Sequence, residues 1–220
     1  MYRSARNWQE YWSRKAVPEH SPETVEHYRE CGAELRLLFE KSRPRRVLEV
    51  GCGNGALYEP LGFAEVERYL GVDFSQRMLQ TFRADHPGAE VVHADGASFR
   101  TDDEFDLIFS SQVAQYWRPQ QLADHLDNAV AMLADGGTIV VSGIPWSRMR
   151  LAYAHGDLTG GRHRRLPVTV LSFLSELVRK RLGHWYDLPA VAALATARGL
   201  DTRFYGSMHY PYRFHAVLRR

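Results

Sequence analysis

Cysteine is scarce in this 220-residue chain, with Cys31 and Cys52 alone. Two thiols make no disulfide framework, and neither has the Cys/His spacing of a zinc site, so no metal is expected. Lysine is nearly as rare: only Lys15, Lys41 and Lys180 occur, so most of the positive charge is arginine. Arginine forks suit carboxylates and phosphates. The formal net charge of +2 is nevertheless too mild to argue for a nucleic-acid partner. No stretch approaches the roughly 18 apolar residues of a membrane helix, so no integral membrane segment is expected. Residues 1–15 lack the apolar centre of a secretory signal. Without an export signal or a disulfide framework, the expected location is cytoplasmic.

What is present alternates between strand and helix. Strands are expected at 46–50 (RVLEV), 69–72, 90–94 (EVVHA), 105–110 (FDLIFS), 138–142 (TIVVS), 202–205 and 213–218. Helices are expected at 4–16, from Pro22 to about Lys41, briefly from Ala56, from the Ser75 cap to Ala84, and from Pro119 to Leu133, where Gly136-Gly137 would end it. Val170, Leu171, Leu174, Leu177 and Val178 mark an amphipathic helix, and 188–198 another, closed by Gly199. This rhythm predicts an α/β fold with a doubly wound, mostly parallel sheet. A single domain over 1–220 is expected. It divides into an N-terminal helical lid (1–44), a ligand-binding core (45–143), an insertion (144–187), and a final helix and strands (188–220).

The segment 51–56 (GCGNGA) lies between a strand and a helix, where glycine lets the backbone approach a ligand. Its spacing also fits the dinucleotide fingerprint, and Asp73 stands 20 residues beyond Gly53, where a carboxylate can hold ribose hydroxyls. Glu49 discriminates between ligands. A carboxylate at this strand end repels a diphosphate and favours a sulfonium with an ammonium. It could instead pin loop amides, which is compatible with the same ligand.

The segment 47–57 (VLEVGCGNGAL) resembles the first motif of the class I (Rossmann-like) S-adenosylmethionine-dependent methyltransferases. GVDFS (71–75), HADG (93–96), FDLIFSS (105–111) and LADGGTIVVS (133–142) resemble that family's further motifs, in order. The resemblance implies a seven-stranded sheet with an antiparallel last strand, a helical insertion after strand five, and S-adenosylmethionine as cofactor. It implies that Gly51, Gly53 and Gly55 face the methionine moiety while Glu49 organises that end. Asp73 would hold the ribose, with Phe74 in the same turn, and Met78 would lie against adenine. Asp95 would accept from the adenine amino group, with Gly96 and Ala97 completing that edge. Ser110 and Ser111 would lie near the methionine end, and Tyr11 with Trp8 and Trp12 would cover the donor. Met78 as plain core and Asp95 as a turn cap stay open.

Methyl transfer from a sulfonium needs alignment and exclusion of water, and needs a base only when the acceptor enters protonated. Tyr116, in 111–117 (SQVAQYW), and His155 and His163, in the insertion, are the candidate catalytic residues, with Gln112 and Trp117 beside Tyr116. The segment lacks the polar-Pro-Pro-aromatic pattern of enzymes that methylate adenine in DNA or glutamine side chains. The resemblance is to the small-molecule type, with a secondary metabolite, sugar or lipid-linked glycan as acceptor and O-methylation favoured. Arg148, Arg150, Arg162, Arg164 and Arg165 would suit an anionic acceptor. A non-catalytic donor-binding module and an NAD(P)-dependent oxidoreductase are the alternatives. Oligomeric state does not follow from the sequence, and a homodimer stays open.

Overall fold

A computed structural model of the chain describes residues 22–156, 158, 169–171, 173–174 and 182–220. The expected helix at 4–16, with Trp8, Tyr11 and Trp12, lies outside the described residues, as do His163 and Arg162, Arg164 and Arg165. Helix α1 (Pro22–Arg36) leads to β1 (Arg46–Val50). Then follow β2 (Arg68–Asp73), α2 (Gln76–Asp85), β3 (Glu90–His93), β4 (Phe105–Ser111), α3 (Pro119–Met132) and β5 (Leu133–Pro145). Helices α4 (Arg150–His155) and α5 (Leu188–Thr196) precede β6 (Asp201–Gly206) and β7 (Arg213–Arg219).

The seven strands form one sheet in the order β3-β2-β1-β4-β5-β7-β6. The first five run parallel, and β7 pairs antiparallel with both β5 and β6. Successive strand residues point to opposite faces, so each central strand feeds two cores. Leu48, Val50, Val72, Ile108 and Ile139 pack against α3 and α5 on one face. Val47, Tyr69, Leu107, Phe109 and Val140 pack with Leu35 of α1 and with Leu79 and Phe82 of α2 on the other. Phe82, Phe105 and Phe109 have no exposed surface, and full burial of such a side chain stabilises by about 1.5–3 kcal/mol.

Successive strands are added on one side of β1 up to β3 and on the other side from β4, and a crevice opens beyond the carboxyl ends of the strands at such a switch point. Ser75 accepts from the Met78 N–H and starts α2 as expected. Three expectations fail. The brief helix from Ala56 is a run of turns ending in a 3-10 turn at Phe63–Glu65, because Pro60 cannot sit in a helix interior and Gly62 turns left-handed at φ +74°. Helix α1 stops at Arg36 instead of Lys41, and the chain resumes as a 3-10 turn that closes on left-handed Arg43. Gly136-Gly137 does not follow the helix as a loop but lies inside β5, which begins at Leu133 with a register shift opposite Phe105 and Leu107.

Candidate active site

The glycine loop is tied to the end of β2. Gly51 and Cys52 donate to the Val72 carbonyl at 2.6 and 3.2 Å. The Gly53 N–H donates to Asp73 Oδ2 at 3.0 Å, and the Ser75 N–H to Asp73 Oδ1 at 2.7 Å. Asp73 therefore fixes both the loop and the start of α2. Burial pushes its carboxyl up, against these backbone donors.

Beyond these strand ends lies a cavity of about 230 Å³. Of the residues expected at the donor, Glu49, Gly51, Gly53, Asp73, Phe74, Met78, Asp95, Gly96 and Ser111 line it, as does Tyr116. Gly53, at φ +55°, has open space where a Cβ would stand, whereas a Cβ on Gly51 would meet Val113 Cγ2 at 2.2 Å. Three carboxylates, Glu49, Asp73 and Asp95, lie among its described walls, with no lysine or arginine. Glu49 is 3% exposed and accepts a 2.6 Å hydrogen bond from Tyr69 O–H. Burial pushes its carboxyl up to about 7, Tyr69 opposes that shift, and the charge of Asp73 adds to it.

Other expected positions fall elsewhere. Gly55 does not face the cavity: a Cβ there would meet Phe82 Cδ2 at 2.9 Å and His86 Cδ2 at 3.1 Å, so its role is close packing of the loop on α2. The Ala97 N–H is taken by Asp95 Oδ1 at 3.0 Å, its carbonyl accepts from Asn128 Nδ2 at 3.2 Å, and Ala97 is not among the residues that line the cavity. Asp95 thus caps its turn and also lines the cavity. Ser110 is 1% exposed on the face it shares with Ile108, and its Oγ, which has no hydrogen-bond partner among the described residues, does not reach the cavity. His155 ends α4 and lines neither this cavity nor the smaller one beside it. Arg148 meets Asp187 at 3.7 Å near the surface and Arg150 stacks over Trp185, so neither reaches the cavity wall.

Four features were missed in the sequence. Tyr69, which holds Glu49, is an aromatic two residues into β2 and reads as core. Tyr28 of α1 lines the cavity from a helix far away in sequence. Gln112 was expected beside the reactive methyl and lines the cavity, but its backbone, at φ +56° just beyond β4, was not foreseen. A non-glycine residue held there stores strain of about 1–3 kcal/mol and marks a constrained site. Opposite it, the β5–β7 register shifts between Val141 and Ile144, and Gly143 in the bulge donates to His215 Nδ1 while accepting from buried Arg213.

Comparison with known proteins agrees with this geometry. Residues 47–137 match the family described as "Methyltransferase domain". A trans-aconitate 2-methyltransferase of Rhodopseudomonas palustris (strain BisB5) is 32% identical over 135 residues, covering 59% of this chain and 49% of its own. The matched region thus spans less than half the length of that relative. The N-methyltransferase NodS of Bradyrhizobium japonicum WM9, solved with S-adenosylhomocysteine, is 20% identical with a TM-score of 0.66, covering 99% of this chain and 98% of its own. CalS10 of Micromonospora echinaspora, an amino pentose methyltransferase solved with S-adenosylmethionine, is 14% identical with a TM-score of 0.67, covering 100% and 98%. At these identities the two structures speak for the fold alone. Sheet order and acidic strand ends agree with the family match: residues 47–137 are similar to a methyltransferase domain, and they sit in a Rossmann-like, seven-stranded fold.

Proposed function

We propose that the chain transfers a methyl group from S-adenosylmethionine to the oxygen of a small-molecule acceptor, a secondary metabolite, sugar or lipid-linked glycan. One observation carries the donor assignment: the described walls of the cavity hold three carboxylates and no lysine or arginine, with Glu49 buried among them. A diphosphate would find no cation there, whereas a sulfonium and an ammonium supply the positive charge a buried acid needs.

When bound, the donor supplies an already activated methyl group. The chain's residues do the rest. Glu49 organises the methionine end from the end of β1, and Gly51 and Gly53 keep the loop backbone close to it. Asp73 holds the ribose with its remaining lone pairs while its backbone bonds keep the loop in place. Phe74 and Met78 line the adenosine region, and Asp95 offers its second oxygen to the base. Ser111 and Tyr116 stand on the acceptor side.

The relatives' names point to several acceptor chemistries. An acid such as trans-aconitate would need the arginines of the insertion, since the described cavity walls supply none. Wall composition therefore favours a neutral acceptor. Incubation with S-adenosylmethionine and a panel of sugars, phenols and polycarboxylic acids, read as S-adenosylhomocysteine formed, tests the reading. Turnover with hydroxyl compounds supports it, and turnover with polycarboxylates alone contradicts the acceptor class.

A further inference from the structure

A second recess of about 30 Å³ abuts the main cavity and shares Tyr28, Leu57, Ser111 and Gln112 with it as a common wall. That volume admits a water molecule or two, or one hydroxyl with its carbon, and no larger group. Its other walls include Ser142, Ser207, Tyr210 and Glu34, and again no lysine or arginine among the described residues. The lining is built to exchange hydrogen bonds with a neutral, protic group.

Tyr210, from the β6–β7 connection, is the hub. His27 Nε2 of α1 lies 2.7 Å from its hydroxyl oxygen and 3.6 Å from Cys31 Sγ, and Gln112 and Cys31 share the recess wall with Tyr210. We propose that this recess takes a hydroxyl group of the acceptor, a neutral alcohol or phenol, and that Tyr210 and His27 carry its proton away. The inference rests on the methyltransferase reading above.

Neighbouring groups leave His27 as the proton's destination. Burial and the nearby Glu34 and Glu30 push the Cys31 thiol up to about 11, so it stays neutral. Glu34 is occupied: it accepts from the Met208 N–H at 2.6 Å and pairs with His215 Nε2 at 3.1 Å and His209 Nδ1 at 2.5 Å. His215 is committed as well, since its Nδ1 accepts from the Gly143 N–H. Burial pushes Tyr210 up to about 12, so its phenol relays a proton without resting as an anion. His27 is half-buried, and the groups facing it are Tyr28 and Cys31 of α1 with Tyr210 and His209 of the β6–β7 connection.

The proton balance is simple. As the acceptor oxygen gains the methyl group it loses its proton to the Tyr210 oxygen, while the Tyr210 proton moves to His27 Nε2. The imidazolium then returns that proton to solvent, and the donor's sulfonium becomes a neutral thioether. No oxidant or reductant is involved. Tyr210 is thereby a catalytic residue, and His27 a positioning and relay residue acting through it.

The test uses the full chain labelled with [13C]histidine, saturated with S-adenosylhomocysteine and titrated with phenol or trans-aconitate, with the His27 ring signal assigned through His27→Gln. Phenol should move that signal in the native chain and trans-aconitate should not. Tyr210→Phe should abolish the shift and weaken phenol about tenfold, with S-adenosylhomocysteine affinity within about twofold of native. A His27 signal unmoved by phenol, an equal shift in Tyr210→Phe, or no phenol binding by the loaded chain overturns the proposal. Failure to bind S-adenosylhomocysteine removes the methyltransferase reading instead, and this one with it.

Discussion

Glu49→Gln should stabilise the ligand-free chain at pH 8 and at the same time weaken its hold on S-adenosylmethionine. Burial lifts the Glu49 carboxyl from 4.5 to about 7. Between those values the unfolded chain has released a proton that the folded chain keeps. The stability due to neutral Glu49 is therefore complete below pH 4.5 and lost as pH rises through 7. At about 1.4 kcal/mol per pH unit, the interval amounts to about 3 kcal/mol. Glutamine keeps an acceptor for the Tyr69 hydroxyl and never ionises. The variant's advantage over the native chain should thus grow by about 3 kcal/mol from pH 4.5 to 8, or about 6–12 °C in Tm for a chain of this size. The native pH profile alone would hide this. His125 is 2% exposed against Trp117, and burial pushes it from 6.5 down to about 4. Its stability is present above 6.5 and lost as pH falls through 4, so the two slopes oppose each other across pH 4.5–6.5. Urea denaturation of both proteins at pH 4.5 and 8 measures the gap, and calorimetry at pH 8 measures affinity. S-adenosylmethionine should weaken about tenfold or more, and S-adenosylhomocysteine, which lacks the sulfonium charge, should weaken less. A gap that does not change with pH, or equal losses for the two ligands, refutes the reasoning.

Asp73→Ala removes the partner of two backbone N–H groups and the ribose contact. It should cost about 1–3 kcal/mol of stability and a similar amount of donor binding; a wild-type calorimetric affinity would refute the ribose assignment. Gly53→Ala and Gly55→Ala should separate, although both carry positive φ. The first projects a methyl into open cavity space and should act mainly on donor affinity; the second strikes Phe82 and His86 and should act mainly on Tm. Identical profiles in thermal shift and calorimetry would contradict this division.

Much of the sheet was legible because each central strand is a short apolar run closed by residues with special backbone needs. Strand β1 begins and ends at Arg46 and Val50 as expected, and the glycine loop and Asp73 meet because the parallel β1–β2 register aligns Val50 with Val72. Errors arose where local signals have two meanings. Glycine can face a ligand or a neighbouring side chain, and nothing local separates Gly53 from Gly55. The Gly136-Gly137 pair looks like a helix stop, but β5 starts before it. His27 and Tyr210 escaped notice because their pairing spans 183 residues and depends on how α1 lies against the β6–β7 connection, and Tyr28 reaches the cavity from the same helix. At Ala97 the backbone N–H that the resemblance offers to adenine is engaged within its own turn by Asp95.

The central claim is that a cationic adenosyl donor occupies the acid-lined crevice beyond β1 and β2. Isothermal titration of the full chain with S-adenosylmethionine, S-adenosylhomocysteine and NADH at pH 8 addresses it most directly. The account predicts one site for each of the first two and no heat with NADH. Binding of NADH with no heat from either sulfur ligand would contradict it.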